Sequence, residues 1–571
     1  MISAFSGFVP AVTVWLTKLL IDGVADRHGT GELFVLVGVL GSAGVVAAVL
    51  ARLAAYLRAD LGRRVDVHLQ ECLYSAVNRL DGLTRLESPR YRDRLQIAQQ
   101  STGGSLGPAT TGLFAIGQQV ITVVGLMVAV ALVAPLMAVL VVLAALPVLV
   151  AELLLSRKRV TMVAELSPSV RRRIFYSMML VDLRAAKEIR LLGLGKSFTN
   201  RMRLELSSIH RQERQLDLGE LRVQATLALL TALVTGASLV YPVLEAAQGR
   251  LTIGDISVYV GAVVGVQGAL GALVAQVAGA YEALAIYGHF RAITATGNDL
   301  AIRAGTVPMP ELRQYIEFRD VWFRYGEDLP WVLRGVSLKI PYGTATAIVG
   351  LNGAGKSTLV KLLCRFYDPT RGAVLWDGVD LRDVPVPELR QRIGALFQDF
   401  MSYDFTAAEN IAVGDIHRID NRDEVVAAAQ RAGVHGTLAA LPNGYDTMLG
   451  LMFSGDDDDS GVTLSGGQWQ RIALARGLLR DDRDLLILDE PSAGLDPEAE
   501  HSIHEGLRRL RMHRTSVLIS HRLGSIRDAD LIVVLDGGRV AEEGTHATLM
   551  ARGGQYARLF GLQASGYAHS G

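Results

Sequence analysis

The chain has 571 residues, 50% of them hydrophobic, 20% charged and only 6% aromatic, and its 57 basic residues balance 57 acidic ones. That length accommodates two or more domains, and a zero net charge gives no footing for nucleic acid as a partner. Two cysteines, Cys72 and Cys364, stand far apart and support neither a disulfide framework nor a thiolate metal site.

Before about residue 300 the apolar residues form long uninterrupted blocks, and after it short Val/Ile/Leu runs separated by Gly, Asp and Pro. The first pattern predicts membrane-spanning helices, the second alternating strands and helices. A helix needs roughly twenty apolar residues to cross the hydrocarbon core. Six stretches in the domain 1–300 qualify: about 2–21, 33–57, 109–134, 136–155, 223–247 and 256–286. With six spans, both ends of this domain lie on one side. The connections at 22–32, near Pro135 and at Gln248–Asp255 are short and poor in Lys and Arg. Those after the second and fourth spans are rich in them, through Arg58, Arg63, Arg64, Arg79, Arg85, Arg90, Arg92 and Arg94, then Arg157, Lys158, Arg159, Arg171, Arg172, Arg173, Lys187 and Arg190. The positive charge places these two connections in the cytoplasm.

Both cytoplasmic connections are much longer than turns, and their mixed composition predicts helices that leave the membrane and fold back. The return points are predicted near Glu87–Tyr91, where Pro89 interrupts helix, and near Ala186–Arg190. Each is expected either to touch the second domain or to be an ordinary solvated loop. Lys18 is expected to snorkel from the far end of the first span. Met1 stands almost inside that span without the features of a cleavable signal peptide, so the chain either begins in the membrane or has a natural start upstream. Gln118, Gln119, Glu152, Gln267 and Gln276 lie within spans and are read first as interhelical hydrogen-bond partners, second as the lining of a cavity for amphipathic cargo.

Residues 301–314, with Gly305, Pro308 and Pro310, read as a linker, and a strand-like Tyr315-Ile316-Glu317-Phe318 opens the second domain, 315–571. Thr346–Val349 reads as a buried strand running into Gly350-Leu351-Asn352-Gly353-Ala354-Gly355-Lys356-Ser357-Thr358. This is a P-loop, whose glycines let backbone N–H groups surround phosphate oxygens at a helix start. Lys356 is placed to neutralise the β and γ phosphates and the Ser357 hydroxyl to complete a magnesium shell. Leu485–Leu488 is a second buried strand, delivering Asp489 and Glu490 to the carboxyl edge of a parallel sheet. Asp489 is then placed to hold magnesium through water, and Glu490 to orient or deprotonate the water that attacks the γ-phosphorus. In isolation the pair could merely cap the turn at Pro491; four aliphatic residues before it and a P-loop upstream argue for the chemistry.

Through these motifs the chain resembles an ATP-binding cassette (ABC) exporter half-transporter over nearly its whole length. The resemblance also rests on Leu464-Ser465-Gly466-Gly467-Gln468 as the family signature, Ser492–Asp496 as the D-loop, Gln398 as the Q-loop glutamine and His521 as the switch histidine. Tyr325, in Phe323-Arg324-Tyr325-Gly326, occupies the position where the family stacks an aromatic ring on adenine. The implied fold is an all-α polytopic membrane domain of six helices with long cytoplasmic extensions, followed by an α/β P-loop NTPase domain with an ABC signature subdomain. The implied activity is ATP hydrolysis coupled to export of a peptide, lipid or amphipathic small molecule across the cytoplasmic membrane, with the nucleotide domain in the cytoplasm. Gln398 is then expected to touch magnesium, His521 the γ-phosphate, and Leu464–Gln468 an ATP held by a partner's P-loop, with Asp496 nearby. That partner is a second copy or a different half-transporter. Rival readings are a lipid flippase and a soluble ABC-type ATPase, the second lacking the apolar spans.

One departure from the family pattern precedes the signature, where Asp456-Asp457-Asp458-Asp459 forms an acidic run. It reads as a solvated insertion, or as a loop that docks on Arg90, Arg92 or Arg190. Phe397–Phe400, Glu409–Ile411 and Gln468–Arg471 are similar to a subset of exporters that includes lantibiotic-type peptide exporters.

Overall fold

The computed structural model describes residues 2–102, 106–133, 135, 138–139, 150, 154, 169–300, 307–450, 461–480, 483–491, 514–520, 522 and 526–568. By contact these fall into two compact units, one of 1–78 with 89–296 and one of 79–88 with 297–571.

The first unit is helical. It contains α1 (Ile2–Ala25), α2 (Thr30–Asn78), then, beyond a segment of the other unit that holds α3 (Thr84–Glu87), α4 (Pro89–Thr102), α5 (Leu106–Val133), α6 (Leu183–Leu191), α7 (Gly195–Ala247) and α8 (Ile253–Thr294). Four described stretches are long and apolar enough to cross a membrane: Phe5–Ala25, Thr30–Asn78, Gly112–Val133 and Ile253–Tyr281. The stretch 223–247 forms the C-terminal half of α7, and 136–155 lies almost wholly outside the described residues. Leu126 and Val130 of α5 pack with Tyr259, Ala262, Val263 and Val266 of α8 in one buried cluster. Lipid tails give no hydrophobic drive between such helices, so close backbone approach and polar contacts must hold them. Both occur here: Thr122 donates to the Gly7 carbonyl at 3.1 Å, and Arg58 donates to the Gln118 side chain at 2.6 Å. Gln118 thus bonds between α2 and α5.

The Lys18 ammonium pairs with Asp255 at the start of α8 and lies 5.3 Å from the Trp15 ring centroid. The largely buried Asp255 carboxylate also closes a capping box with Thr252. Ala186–Arg190, the second expected return point, lies inside the short helix α6, which is set between a break at Asp182 and a turn at Leu192–Leu194, where Gly193 takes a left-handed φ of 65°.

The second unit holds two sheets. Strands β1 (Tyr315–Phe323), β2 (Leu333–Pro341), β4 (Arg371–Trp376) and β5 (Val379–Asp380) form an antiparallel sheet in the order β2-β1-β4-β5. The larger sheet runs β12-β11-β3-β10-β9-β6, built from β3 (Ala345–Gly350), β6 (Ile393–Leu396), β9 (Leu485–Asp489), β10 (Thr515–Ile519), β11 (Leu531–Asp536) and β12 (Arg539–Gly544). Five of its strands are parallel and β12 pairs antiparallel at one edge. All five residues of β9 and of β10 are buried, as the continuous aliphatic runs require of strands covered on both faces. One core lies between the sheets, around Ile316, Phe318, Ile348, Trp376 and Ile487. The other lies on the opposite face of the large sheet, against helices that include α9 (Ala407–Ala412), α10 (Arg422–Arg431) and α11 (Gly466–Leu478). Cys364 is buried and Cys72 half-exposed, and both thiols are free.

Segment 79–88, which in sequence joins the second and third predicted spans, belongs to this unit rather than to the helical one, and so do residues 297–300. Its short helix α3 ends at Ser88, whose backbone is extended (φ −70°, ψ 124°), as a residue before proline must be. Pro89 then opens α4 at a position where its missing N–H costs nothing.

Candidate functional site

Parallel strands deliver their following loops to one sheet edge. Here β3, β10 and β9 are adjacent, and their carboxyl ends carry the P-loop, Ile519 and Asp489–Glu490. Between them opens a cleft of about 510 Å³ lined by Val332, Asn352, Gly353, Gly355, Lys356, Ser357, Thr358, Gln398, Glu490 and Ile519.

The P-loop bends back on itself into the helix α12 (Lys356–Leu363). Gly350 cannot be replaced without strain: its φ is 152°, and a Cβ there would lie 2.4 Å from the Leu535 carbonyl oxygen. The Lys356 ammonium curls under the loop and donates to the carbonyls of Gly350 at 2.8 Å and Leu351 at 3.1 Å. Burial pulls its pKa below the usual lysine value, and the Glu490 and Asp489 carboxylates partly restore it. Asn352, Gly353 and Ser357 are exposed to the cleft, whereas Ala354 is buried in the core between the sheets.

Asp489 is only 5% exposed. Burial, then the adjacent Glu490 carboxylate, push its pKa up to about 6, against the opposing pull of Lys356 and the Ser357 hydroxyl. A buried carboxylate beside a second carboxylate, a hydroxyl and a carboxamide is a set of oxygen donors that a hard divalent cation would relieve of its repulsion. Ser357, Gln398 and Asp489 therefore fit a magnesium site.

Glu490 adopts a left-handed backbone with φ 53°, rare for a residue with a side chain. Three contacts fix it. Its N–H donates to the Ile519 carbonyl at 2.8 Å, its carbonyl accepts from Gln470 Nε2 at 2.9 Å, and its carboxylate accepts from Gln398 Nε2 at 3.1 Å. Gln470 is a functional candidate that motif reading passed over. The signal available was a glutamine that is 4% exposed, on the buried side of the signature helix.

Tyr325 stands beside the P-loop helix, its hydroxyl 3.2 Å from Thr358 Oγ1, and packs edge-to-face on Phe323 and Tyr367. The signature has a different local logic. Ser-x-x-Gln is a capping box, and Ser465 Oγ accepts from the Gln468 N–H at 3.3 Å while Gln468 Oε1 accepts from the Ser465 N–H at 2.9 Å. Gln468 is thereby turned back onto the helix start, leaving Ser465 and Gly466 exposed. Among the described residues, none of Leu464 to Gln468 lines the cleft. Asp496, His521 and the Asp456–Asp459 run lie outside the described residues.

Residues 333–493 match the family described as ABC transporter, and residues 109–270 match the ABC transporter transmembrane region. Among curated relatives, an "ATP-dependent lipid A-core flippase" of Chromohalobacter salexigens is 46% identical over 248 residues, which is 43% of this chain and 41% of that protein. The "cyclolysin secretion/processing ATP-binding protein CyaB" of Bordetella pertussis is 45% identical over 260 residues, 45% of this chain and 34% of that one. The chain thus spans about two fifths or less of the length of these relatives. A solved structure, that of a bacterial Atm1-family ABC exporter with ATP bound, superposes with a TM-score of 0.85 at 26% identity, covering 98% of this chain and 97% of the other. The chain belongs to the ABC transporters, as a half-transporter in which a multi-pass transmembrane region precedes one nucleotide-binding cassette.

Proposed function

We propose that the chain is an ATP-hydrolysing exporter subunit that works as a pair, most simply with a second copy of itself. The observation that carries this reading is the convergence of Lys356, Ser357, Gln398 and Glu490 on one cleft at the sheet edge. The full-length likeness to an exporter with ATP bound supports it. In this reading ATP enters with its phosphates on the P-loop N–H groups, and Lys356 exchanges the carbonyls of Gly350 and Leu351 for phosphate oxygens. Ser357, Gln398 and Asp489 would hold a magnesium ion, which would neutralise charge on the β and γ phosphates. Glu490 accepts the proton of the attacking water, its carboxylate aimed by Gln398. Because Gln398 binds the side chain that activates water, it is placed to make hydrolysis depend on whatever moves its loop. His521 completes the γ-phosphate contacts, and Tyr325 stacks the adenine.

The signature helix serves the partner's nucleotide. Its exposed Ser465 and Gly466 at a capped helix N-terminus suit a phosphate arriving from outside the subunit. The subunit sits in the cytoplasmic membrane with the cassette in the cytoplasm, and the cargo is amphipathic. Lipid flipping is a second reading, favoured by the flippase relatives. Purified protein in lipid nanodiscs, assayed for ATP hydrolysis against lipids, peptides and amphipathic drugs, tests both. Export predicts magnesium-dependent turnover accelerated by one class of cargo, and flipping predicts acceleration by a lipid alone. Absence of any nucleotide turnover would refute the proposal.

A further inference from the structure

We propose that Lys361 is a positioning residue for the nucleobase and that, through Glu87, it makes base binding depend on the seating of segment 79–88. This rests on the reading of Tyr325 as the ring that stacks the base. The argument begins with helix geometry. Thr358 and Lys361 lie three residues apart on α12, so they share a face. Thr358 meets the Tyr325 hydroxyl, and Lys361 therefore meets the same ring one turn later. Its ammonium is 5.2 Å from the Tyr325 centroid and 5.6 Å from that of Tyr367, within the range of a cation–π contact. The two rings stand at 89° with centroids 5.3 Å apart, so one cation serves both.

The counter-charge comes from elsewhere in the sequence. Glu87 Oε1 lies 3.2 Å from the Lys361 ammonium, and Glu87 is the last residue of α3. An isolated pair this exposed would deserve little weight. The segment that carries Glu87, however, is pinned along its length. The Asp299 carboxylate accepts the N–H groups of Gly82 at 2.8 Å and Arg85 at 3.5 Å, and Asn298 Oδ1 accepts that of Asp81 at 3.0 Å. Leu83 N–H donates to the Phe366 carbonyl at 3.1 Å, and the Arg390 guanidinium donates to the Asp81 carbonyl. A Cβ on Gly82 would lie 2.7 Å from Asp299 Oδ2, so any larger residue there would push the Asp299 carboxylate aside. Glu87 is thus presented by a fixed arm. When the arm is seated, the ammonium is shared between a carboxylate and two rings, and Tyr325 is held. When the arm leaves, the ammonium is free to turn to solvent and the ring loses its support. Linkage then requires the reverse effect: base binding strengthens the seating of 79–88.

The test uses the full chain in nanodiscs, with KM and kcat for ATP measured for Tyr325→Ala, Lys361→Met, Lys361→Arg, Glu87→Gln and the charge exchange Glu87→Lys with Lys361→Glu. Loss of base stacking in Tyr325→Ala is expected to raise KM roughly tenfold. Lys361→Met and Glu87→Gln are each expected to raise KM about two- to fivefold with little change in kcat, the pair together no more than either alone. Lys361→Arg and the charge exchange recover most of the loss. Hydrogen exchange gives a second readout: ATP protects 79–88 in the parent protein and protects it less in Lys361→Met. If Tyr325→Ala raises KM while Lys361→Met and Glu87→Gln leave KM and the protection of 79–88 unchanged, the inference fails and the base-stacking reading stands. If Tyr325→Ala leaves KM unchanged, the base-stacking reading fails and takes the inference with it.

Discussion

Replacing Gln470 with Leu removes one hydrogen bond and almost no volume, at a place where the backbone is least able to lose support. The bond runs from Gln470 Nε2 to the carbonyl of Glu490 at 2.9 Å, inside a core where Gln470 is 4% exposed. A non-glycine residue in the left-handed region costs roughly 1–3 kcal/mol, and Glu490, at φ 53°, carries that cost. Losing a buried hydrogen-bond partner costs about 1–3 kcal/mol, the same size as the strain being held. Glu490 in Gln470→Leu should therefore spend much of its time with a relaxed backbone and its carboxylate off the water. A loss of about 1.4 kcal/mol of transition-state stabilisation is tenfold in rate, so kcat for ATP should fall about tenfold or more. KM should change little, because the P-loop is untouched. The assay is steady-state ATP hydrolysis in nanodiscs, with the thermal midpoint measured alongside. A lowered midpoint with unchanged kcat would instead make Gln470 a packing residue alone, with no part in holding Glu490 for catalysis.

Two further outcomes follow from the same structure. Asp489 has a folded pKa of about 6, raised above the ordinary carboxylate value by burial and by Glu490. A carboxylate with a raised folded pKa stabilises the fold only while protonated, so its contribution is lost as pH rises through 6. Asp489→Asn should thus stabilise the magnesium- and nucleotide-free protein at pH 7 and confer no gain near pH 3, as thermal midpoints across that range would reveal. In the helical unit, Asp255 pairs with Lys18 while its side chain keeps only 11% exposure. Removing one partner of such a pair leaves a poorly solvated charge, a cost of about 1–3 kcal/mol. Lys18→Met should lower the midpoint more than Lys18→Met combined with Asp255→Asn, and equal effects would argue against the pair.

What the sequence exposed and what it hid divide along physical lines. A buried parallel strand must be aliphatic throughout, so Thr346–Val349 and Leu485–Leu488 announced β3 and β9, and the residues that follow them in the chain necessarily share one sheet edge. The P-loop was legible because phosphate binding demands glycines and a lysine at fixed spacing. Four of the six expected spans coincide with described helices long and apolar enough to cross a hydrocarbon core of fixed thickness. Gln470 was hidden because a single buried glutamine looks like any helix residue until its carboxamide is seen on the Glu490 carbonyl. The pairing of Lys18 with Asp255 was hidden because the two are distant in sequence, and no periodicity reports a contact of that kind. At the second expected return point, near Ala186–Arg190, charge pattern alone does not report the short helix α6 between Asp182 and Gly193. The return point near Glu87–Tyr91 is expected to touch the second domain or to be solvated; that the residues leading up to it, 79–88, group with the second unit rests on contacts to Asn298 and Asp299, residues that carry no motif.

Glu490 activates the water in the proposed mechanism, at a cleft that binds ATP without it. Glu490→Gln keeps the shape of the side chain and, with it, the contacts of Lys356 and Ser357, but cannot take a proton. In a single-turnover experiment with the nanodisc-embedded protein and radiolabelled ATP, this variant is expected to retain ATP at parental affinity while phosphate release falls by about two orders of magnitude or more. Phosphate release at the parental rate from bound ATP would contradict it.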